Sequence, residues 1–534
     1  MRKETFARKT AVPALLSIVA LVLVVFASNL RNGWIEDDHY QVENNPYVRS
    51  VRSLPYIFSV QTWAATSWET RKSGIYRPLP MASFLLDYGL FHGRPWGSHL
   101  FNDLLHALNA VLLFLLLRRY APPRIAWFGA LAFALHPIVV ETVTWVSARF
   151  DLLSALFGLT SLLVLPRPET NPKHEWGRLA VFSLAVLGGC FSKETFFLVP
   201  VLALAALCFV RGTDRQFRIR VARFAAPASV LVLAAWVVRA QIVKVNTASL
   251  LSPIVISNFS ELVKRFVGVL LVPSASDMFF PLPVSAVYRL DHLIIAALVL
   301  CAALVCVLRF RANPGVGFGL TAFFAGCIPA AAVLDFVKSI PERYFYLPYA
   351  GLVLAGVAVL GELLERRPVP FPAWIRRVVF VSGLVWLAML SALTVARNSD
   401  WRDDVTLFAR SISNNPANHL PYEMLALHFK REGNIPMLMK SCSEVLSRNP
   451  SHVFCLNAAA VGATDTGRYG EARALLLRAR KEELGSAQTL YNLGYLSEKT
   501  GDMRTAGQWY RKALDLNPEY EKARQALDRL KMMP

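Results

Sequence analysis

The chain has 534 residues, of which 54% are hydrophobic and only 18% charged, with a formal net charge of +20 and a mean hydropathy of +0.39. A soluble domain carries about a quarter charged residues, so this composition excludes an ordinary water-soluble enzyme and excludes disorder. The surplus Lys and Arg sit in short clusters between apolar runs, which assigns them to a membrane surface and not to nucleic acid.

Apolar runs able to approach or cross a hydrocarbon layer of roughly 30 Å occupy 11–28, 99–117, 124–137, 150–165, 178–191, 195–210, 222–240, 291–308, 316–334, 344–363 and 375–396. These make eleven expected spans. The stretch 257–273, broken by Glu261, Lys264 and Arg265, reads as an amphipathic segment lying at the interface. With the N-terminus cytoplasmic, the cytoplasmic connections hold 21 Lys and Arg against 4 in the opposite short loops (Arg149, Lys193, Lys338 and Arg343), so the positive-inside rule fits at every turn. Loop 29–98 and everything after 397 then face the exterior, which is the periplasm of a bacterium or the ER lumen of a eukaryote. No small-residue cleavage site follows the run 11–28, so an uncleaved anchor is expected there. The loop 29–98 is rich in Trp and Tyr, and its amphipathic stretches near 50–61 and 78–91 suit helices lying on the membrane surface.

From 397 the composition turns polar. Asn415-Pro416, Asn449-Pro450 and Asn517-Pro518 are spaced by 34 and 68 residues, and Gly433, Gly467 and Gly501 by 34. That period of paired helices is the tetratricopeptide pattern, best kept over 487–520. The helix around 401–413 reads as a half-repeat joined to the last span. The seven cysteines, five of them in apolar runs, make neither a zinc spacing nor a disulfide framework; Cys442 and Cys455 are expected as buried thiols.

Ionisable groups at the ends of spans are costly and point to function. Asp37-Asp38 follow the first span; adjacent carboxylates beside an apolar surface raise one another's pKa, which suits a general base. A turn of solvated acids is the plain alternative. His99, Asn102 and His106 share one helical face by their spacing, either lining a polar cavity or bonding neighbouring helices, and they do not amount to a metal site. His136-Pro137, Glu141, Arg149 and Asp151 come next, then Lys193-Glu194 and Glu342-Arg343. Arg149, Lys193 and Arg343 each stand near a carboxylate in sequence. They fit either a structural ion-pair network or a set of cations converging on the phosphate of an anionic lipid. Arg77, in Tyr76-Arg-Pro-Leu79, could join them.

Taken in order, the exterior acid pair, the Tyr-Arg-Pro-Leu stretch, His99-x-x-Asn102-x-x-x-His106, His136-Pro137-x-x-x-Glu141, Arg149-x-Asp151, Lys193-Glu194, Glu342-Arg343-Tyr344-x-Tyr346-Leu-Pro348 and the repeat tail resemble the transmembrane-and-tetratricopeptide O-mannosyltransferases. That family lies within the GT-C class of polytopic glycosyltransferases. The resemblance implies an all-α fold: a membrane helical bundle over 1–396, including the loop 29–98, and an exterior tetratricopeptide solenoid over 397–534.

It also implies transfer of a sugar, mannose or another hexose, from a polyprenyl-phosphate carrier to an acceptor hydroxyl on Ser or Thr, by inverting displacement. In that scheme Asp37 or Asp38 is the base, with more weight on Asp37. Arg149, Lys193, Arg343 and Arg77 bind the donor phosphate. His99, Asn102, His106, His136, Glu141, Asp151, Glu194 and Glu342 line the cavity. Neither a metal nor a cofactor is required. The partners are the lipid donor, a protein or glycan acceptor held by the repeats, and the surrounding lipid. The rival readings are the same chemistry on a glycan or lipid acceptor, and a non-enzymatic scaffold recruiting partners through its repeats. A transporter is disfavoured because the ionisable groups gather at one face and not mid-membrane.

Overall fold

The computed structural model describes residues 2–66, 75–166, 174–200, 203–204, 215–243, 253–273, 301, 313–337, 339–366 and 372–531, and the regular structure among them is helical throughout. The chain forms two compact units, Met1–Asp403 and Asp404–Pro534.

The first unit contains α1 (Arg2–Val25), α2 (Leu54–Ser59), α3 (Pro78–Phe91), α4 (Pro95–Leu117), α5 (Pro123–Leu135), α6 (Val140–Thr144), α7 (Arg149–Val164), α8 (Glu175–Cys190), α9 (Arg215–Ile242), α10 (Pro253–Leu271), α11 (Pro314–Val337), α12 (Tyr346–Arg366) and α13 (Ala373–Asn398). Six helical stretches among the described residues are long and apolar enough to cross a membrane. They are Pro95–Leu117, Val146–Val164, Arg215–Ile242, Pro314–Ala331, Glu342–Glu365 and Ala373–Trp401. The pair α5 and α6, bent by 52°, makes a seventh. These correspond to seven of the eleven expected runs. Of the rest, 11–28 contains the shorter apolar helix Val12–Val25, 178–191 falls within the 16-residue α8 but for its last residue, half of 195–210 lies outside the described residues, and so does 291–308 apart from residue 301. The first unit is thus a multi-pass membrane bundle.

Helix α4 shows how the bundle is organised. It starts on Pro95, whose missing N–H costs nothing in the first turn. Its buried side includes Ser98, His99, Asn102, Asp103, His106 and Asn109, while Leu104 and Leu108 are exposed. A soluble helix has the reverse arrangement. Here the polar face is the one that must find partners, because lipid offers none. Helices α11 and α12 approach so closely that a Cβ on Gly319 would meet the Gly351 carbonyl oxygen at 2.4 Å; small residues permit such backbone contact between membrane helices. The break between α5 and α6 falls at Pro137, which cannot donate to a helix ladder. The His136 ring nitrogen accepts from the Ile138 N–H at 3.0 Å in its place.

Two features differ from the sequence expectation. Helix α10 keeps Glu261 and Lys264 partly exposed, but its third charge is not at the surface: Arg265 is buried with Val255, Leu262, Phe266 and Val269, and pairs with Glu342. The membrane unit also runs past 396. Arg397 pairs with Glu342, Asn398 donates to the Val25 carbonyl, and the Trp401 ring lies 6.5 Å from that of Trp145. These contacts anchor the segment to the bundle, so the repeat unit begins at Asp404.

The second unit comprises α14 (Asp404–Asn414), α15 (Leu420–Arg431), α16 (Ile435–Arg448), α17 (Val453–Asp465), α18 (Tyr469–Glu482), α19 (Ala487–Lys499), α20 (Met503–Leu516) and α21 (Glu521–Lys531). The 34-residue glycine period has a conformational cause. Gly433, Gly467 and Gly501 adopt φ of 69°, 77° and 85°, a region that favours glycine. The N–H after each glycine returns to a carbonyl of the preceding helix: Asn434 to Phe429, Arg468 to Ala463, and Asp502 to Ser497. This is the Schellman way of ending a helix. Asn434 and Asp502 then cap the next helix by accepting from the N–H groups of Met437 and Thr505.

Small residues set the distance between paired helices. A Cβ on Gly494 would lie 2.5 Å from the buried Tyr510 ring, whose hydroxyl is held by Glu498 at 2.7 Å. Gly494→Ala is expected to destabilise this unit by about 1–3 kcal/mol through overpacking. Limited proteolysis of the full chain in detergent checks it: the variant should be cleaved in the 487–516 hairpin at a lower temperature than the wild type.

Candidate functional site

The short connection from Glu141 to Asp151 supplies or holds most of the candidate residues. Glu141 is buried and accepts from the Glu342 backbone N–H at 2.8 Å, and it pairs with Arg343 at 2.6 Å. The Arg343 guanidinium lies over the Trp145 ring at 4.7 Å and the Tyr344 ring at 5.4 Å. Trp145 in turn donates its indole N–H to the Ile35 carbonyl at 3.3 Å. The Ser147 backbone N–H and hydroxyl both donate to one oxygen of Asp38, at 2.7 and 2.5 Å. Asp151 pairs with Lys193, whose ammonium lies 4.8 Å from the Tyr344 ring and 5.4 Å from Phe150.

Arg77 closes the arrangement from α3. It lies 4.4 Å over the same Phe150 ring and donates twice to Glu194, at 2.9 and 2.7 Å. Glu194 also meets Arg239, at 3.1 Å. Burial alone would raise the Glu194 pKa, but Arg77 and Arg239 outweigh it and hold the carboxyl at about 2. Arg77, Lys193 and Arg343 are therefore three basic side chains linked by two shared aromatic rings, Phe150 and Tyr344.

Arg149 does not join them. It is fully buried, between the rings of Phe84 and Phe101 at 4.6 Å each, and pairs with Asp87 at 2.7 Å. Its remaining N–H groups go to Asn102 at 2.8 Å, Ser98 at 3.0 Å and Ser83 at 3.3 Å. A guanidinium so enclosed ties α3, α4 and α7 together. The expectation that Arg149 converges with the other two cations is corrected by this packing.

The cavity-lining expectation also changes. His99, Asn102 and His106 share the buried face of α4 as their spacing predicts, but they bond neighbouring backbone. His99 meets the Gly33 carbonyl at 3.2 Å, Asn102 donates to Val143 and Trp145, and His106 lies between the Tyr346 hydroxyl (2.7 Å) and the Ala134 carbonyl (3.0 Å). His136 caps the α5–α6 break. Glu141, Asp151, Glu194 and Glu342 are each the partner of a basic side chain, with Glu342 between Arg265 (3.0 Å) and Arg397 (2.7 Å).

The two acids of the pair separate sharply. Asp37 is partly exposed, whereas Asp38 is fully buried and receives Ser147 and the Ile35 N–H (3.2 Å). Burial raises the Asp38 pKa from 3.8 to about 7, against the opposing effect of these hydrogen bonds. Sequence reasoning missed Asp87, Trp145 and Ser147; for Asp87, a charge within an apolar helix was the available signal. Among the described residues, no group of three His, Cys, Asp or Glu side chains is arranged to hold a metal ion.

These features define a multi-pass helical membrane protein with an aromatic-linked basic cluster near an acidic turn, followed by a helical-repeat unit. A family model described as dolichyl-phosphate-mannose-protein mannosyltransferase matches residues 77–240, and a tetratricopeptide repeat model matches 487–528. Protein O-mannosyl-transferase Tmtc1 of Drosophila melanogaster is 32% identical over 36% of this chain and 22% of its own length. Protein O-mannosyl-transferase TMTC3 of Mus musculus is 30% identical over 36% and 23%. A Caenorhabditis elegans protein O-mannosyl-transferase, F38B6.6, is 24% identical over 77% of this chain and 59% of its own length. The chain thus resembles the transmembrane-and-tetratricopeptide O-mannosyltransferases, and its matches span less than a quarter of the fly and mouse relatives. Among solved structures, ArnT of Cupriavidus metallidurans bound to undecaprenyl phosphate overlaps 93% of this chain and 79% of its own at 16% identity and a TM-score of 0.38; an overlap this loose carries no argument.

Asp38 generates a pH prediction. Its folded pKa of about 7 lies above the unfolded value, so the folded chain binds the extra proton between roughly pH 4 and 7. The resulting stabilisation is fully present below pH 4 and is lost as pH rises through 7. Across that window the wild type should lose on the order of 4 kcal/mol relative to Asp38→Asn. Thermal midpoints of both proteins in detergent, measured from pH 4 to pH 8, check the sign and the window.

Proposed function

We propose that the chain is an integral-membrane glycosyltransferase that moves a hexose, mannose by its resemblance, from a polyprenyl-phosphate carrier to the hydroxyl of a Ser or Thr in a protein acceptor. The observation that carries this reading is the shared placement of Lys193 and Arg343 against Tyr344, with Trp145 under Arg343 holding the turn that bears Asp37. These contacts tie the basic side chains and the turn that bears Asp37 to one connection, and the distribution of Lys and Arg supports the exterior face for it.

In the reaction, the Asp37 carboxylate accepts the proton of the acceptor hydroxyl as its oxygen bonds to the anomeric carbon. The bond from that carbon to the phosphate oxygen breaks, and the electron pair leaves with the polyprenyl phosphate. One displacement inverts the anomeric centre. The leaving phosphate is a weak base, so it needs its growing charge balanced more than it needs a proton, and Lys193, Arg343 and Arg77 supply that balance without a metal. Each already faces a carboxylate. The donor phosphate therefore adds to, or replaces, an existing ion pair. Asp38 and Arg149 act by position: Asp38 fixes the turn to Ser147, and Arg149 fixes the helices beneath it. The repeat unit binds the acceptor chain, as helical-repeat solenoids bind peptides on their extended concave surfaces.

In-vitro transfer from a panel of polyprenyl-phosphate sugars to Ser- and Thr-containing peptides tests the proposal. Asp37→Asn should lower kcat by about 10²–10⁴-fold, and Lys193→Gln and Arg343→Gln by about 10²–10³-fold each. Wild-type turnover in all three variants would overturn it. Transfer to glycans with none to peptides would move the acceptor to the alternative class.

A further inference from the structure

Asp103 is a buried carboxyl that the reaction above does not use. It lies on the polar face of α4, 2% exposed, and the Asn29 side-chain amide reaches it at 2.9 Å. Glu141, Asp151, Glu194 and Glu342 each meet a basic side chain, whereas among the described residues none pairs with Asp103. A carboxylate enclosed without a cation is costly, and taking up a proton removes that cost.

The network beyond Asp103 calls for the same proton. From Asn29 it passes to the Thr144 hydroxyl at 3.2 Å, then to the Asn398 amide at 3.0 Å, and it ends on the Val25 carbonyl at 3.3 Å. Asn29, Thr144 and Asn398 are wholly buried. The row from Asp103 to Val25 has four links, and each needs one proton. The three middle members supply one apiece: the hydroxyl has a single O–H, and each amide turns its nitrogen to one neighbour and its oxygen to the other. The Val25 carbonyl only accepts. With Asp103 ionised, both ends accept, and one link is left as two oxygens facing each other without a proton. A proton on Asp103 fills that link. The carboxyl then donates to the Asn29 oxygen, Asn29 with its amide turned over donates to Thr144, Thr144 to Asn398, and Asn398 to Val25.

The row joins parts on which the proposed reaction depends. Asn29 stands in the turn Ala27–Arg31 that opens the loop bearing Asp37 and Asp38. Thr144 precedes Trp145, in the connection that holds Arg343 and Lys193, and Asn398 follows Arg397, a partner of Glu342. We propose that Asp103 is a positioning residue that keeps its proton and so fixes the start of the acidic loop to the connection carrying the cations. Its part in transfer rests on the reaction proposed above; the proton does not.

Infrared spectra of the purified full chain in detergent at neutral pH test the proton. The wild type should show the carbonyl stretch of an un-ionised carboxylic acid, shifted by exchange into heavy water, that Asp103→Asn removes. Any such band from Asp38, whose pKa is about 7, is common to both proteins and cancels in their difference. Thr144→Val keeps the side chain's shape without its hydroxyl. It should leave the Asp103 band in place and move its frequency, which reads the same proton without touching Asp103. Asparagine can still donate to the Asn29 oxygen, so Asp103→Asn should keep kcat for peptide transfer within about twofold of the wild type. Thr144→Val should lower kcat about three- to tenfold at an unchanged KM for the donor, because the phosphate-binding side chains keep their partners. Identical acid bands in the wild type and Asp103→Asn overturn the protonated carboxyl. Wild-type kcat in Thr144→Val overturns the positioning role and leaves the transferase reading in place. No transfer by the wild type overturns the reaction and the role within it, while the band still decides the proton.

Discussion

The arrangement depends on one short connection, Glu141 to Asp151, in which nearly every polar side chain reaches a different part of the membrane unit. Glu141 reaches Arg343, Trp145 reaches Ile35, Ser147 reaches Asp38, Arg149 reaches Asp87, and Asp151 reaches Lys193. These partners lie far apart in sequence. Their alignment follows from how the connection is shaped: a bend after Pro137, the short α6, and a tight turn into α7 present successive side chains in different directions. A displacement of this segment would part the acidic turn from the basic cluster in a single movement.

Electrostatics explains why the connection is built this way. Charges buried in a bundle surrounded by lipid are tolerated only when paired and hydrogen-bonded. Arg149 meets that demand fully, with a carboxylate, three oxygen acceptors and two aromatic faces. Glu342, between two arginines, joins α10 to the end of α13. Arg77, Lys193 and Arg343 are paired too, but each also lies on a ring it shares with a neighbour. That sharing of rings sets them apart from Arg149 and is the ground for the phosphate-binding role proposed above.

Much of this was legible in the sequence, because local rules govern it. Apolar runs marked the spans, a spacing of three and four placed His99, Asn102 and His106 on one face, and the 34-residue glycine period marked the left-handed turns of the repeats. What stayed hidden depends on partners distant along the chain. Nothing near Arg149 announces that Asp87 neutralises it, so its charge read as available. Asp37 and Asp38 are chemically identical, and only the approach of Ser147 separates a buried anchor from an accessible acid. Arg265 read as one more surface charge of α10 because its partner Glu342 lies on a distant segment. Glu36 adopts φ of 51° in a turn closed by the Asp38 N–H on the Ile35 carbonyl, and nothing in its residue type marks that conformation.

In the proposed reaction the acidic turn and the cations around Tyr344 act on one phosphate-linked sugar. The most direct measurement is a structure of the full chain with a polyprenyl-phosphonate sugar analogue bound. The phosphonate oxygens are expected about 3 Å from the Lys193 ammonium and the Arg343 guanidinium, with the anomeric carbon turned toward Asp37. A phosphonate seated elsewhere in the bundle, with the Lys193 and Arg343 pairings intact and Asp37 far from the sugar, would contradict it.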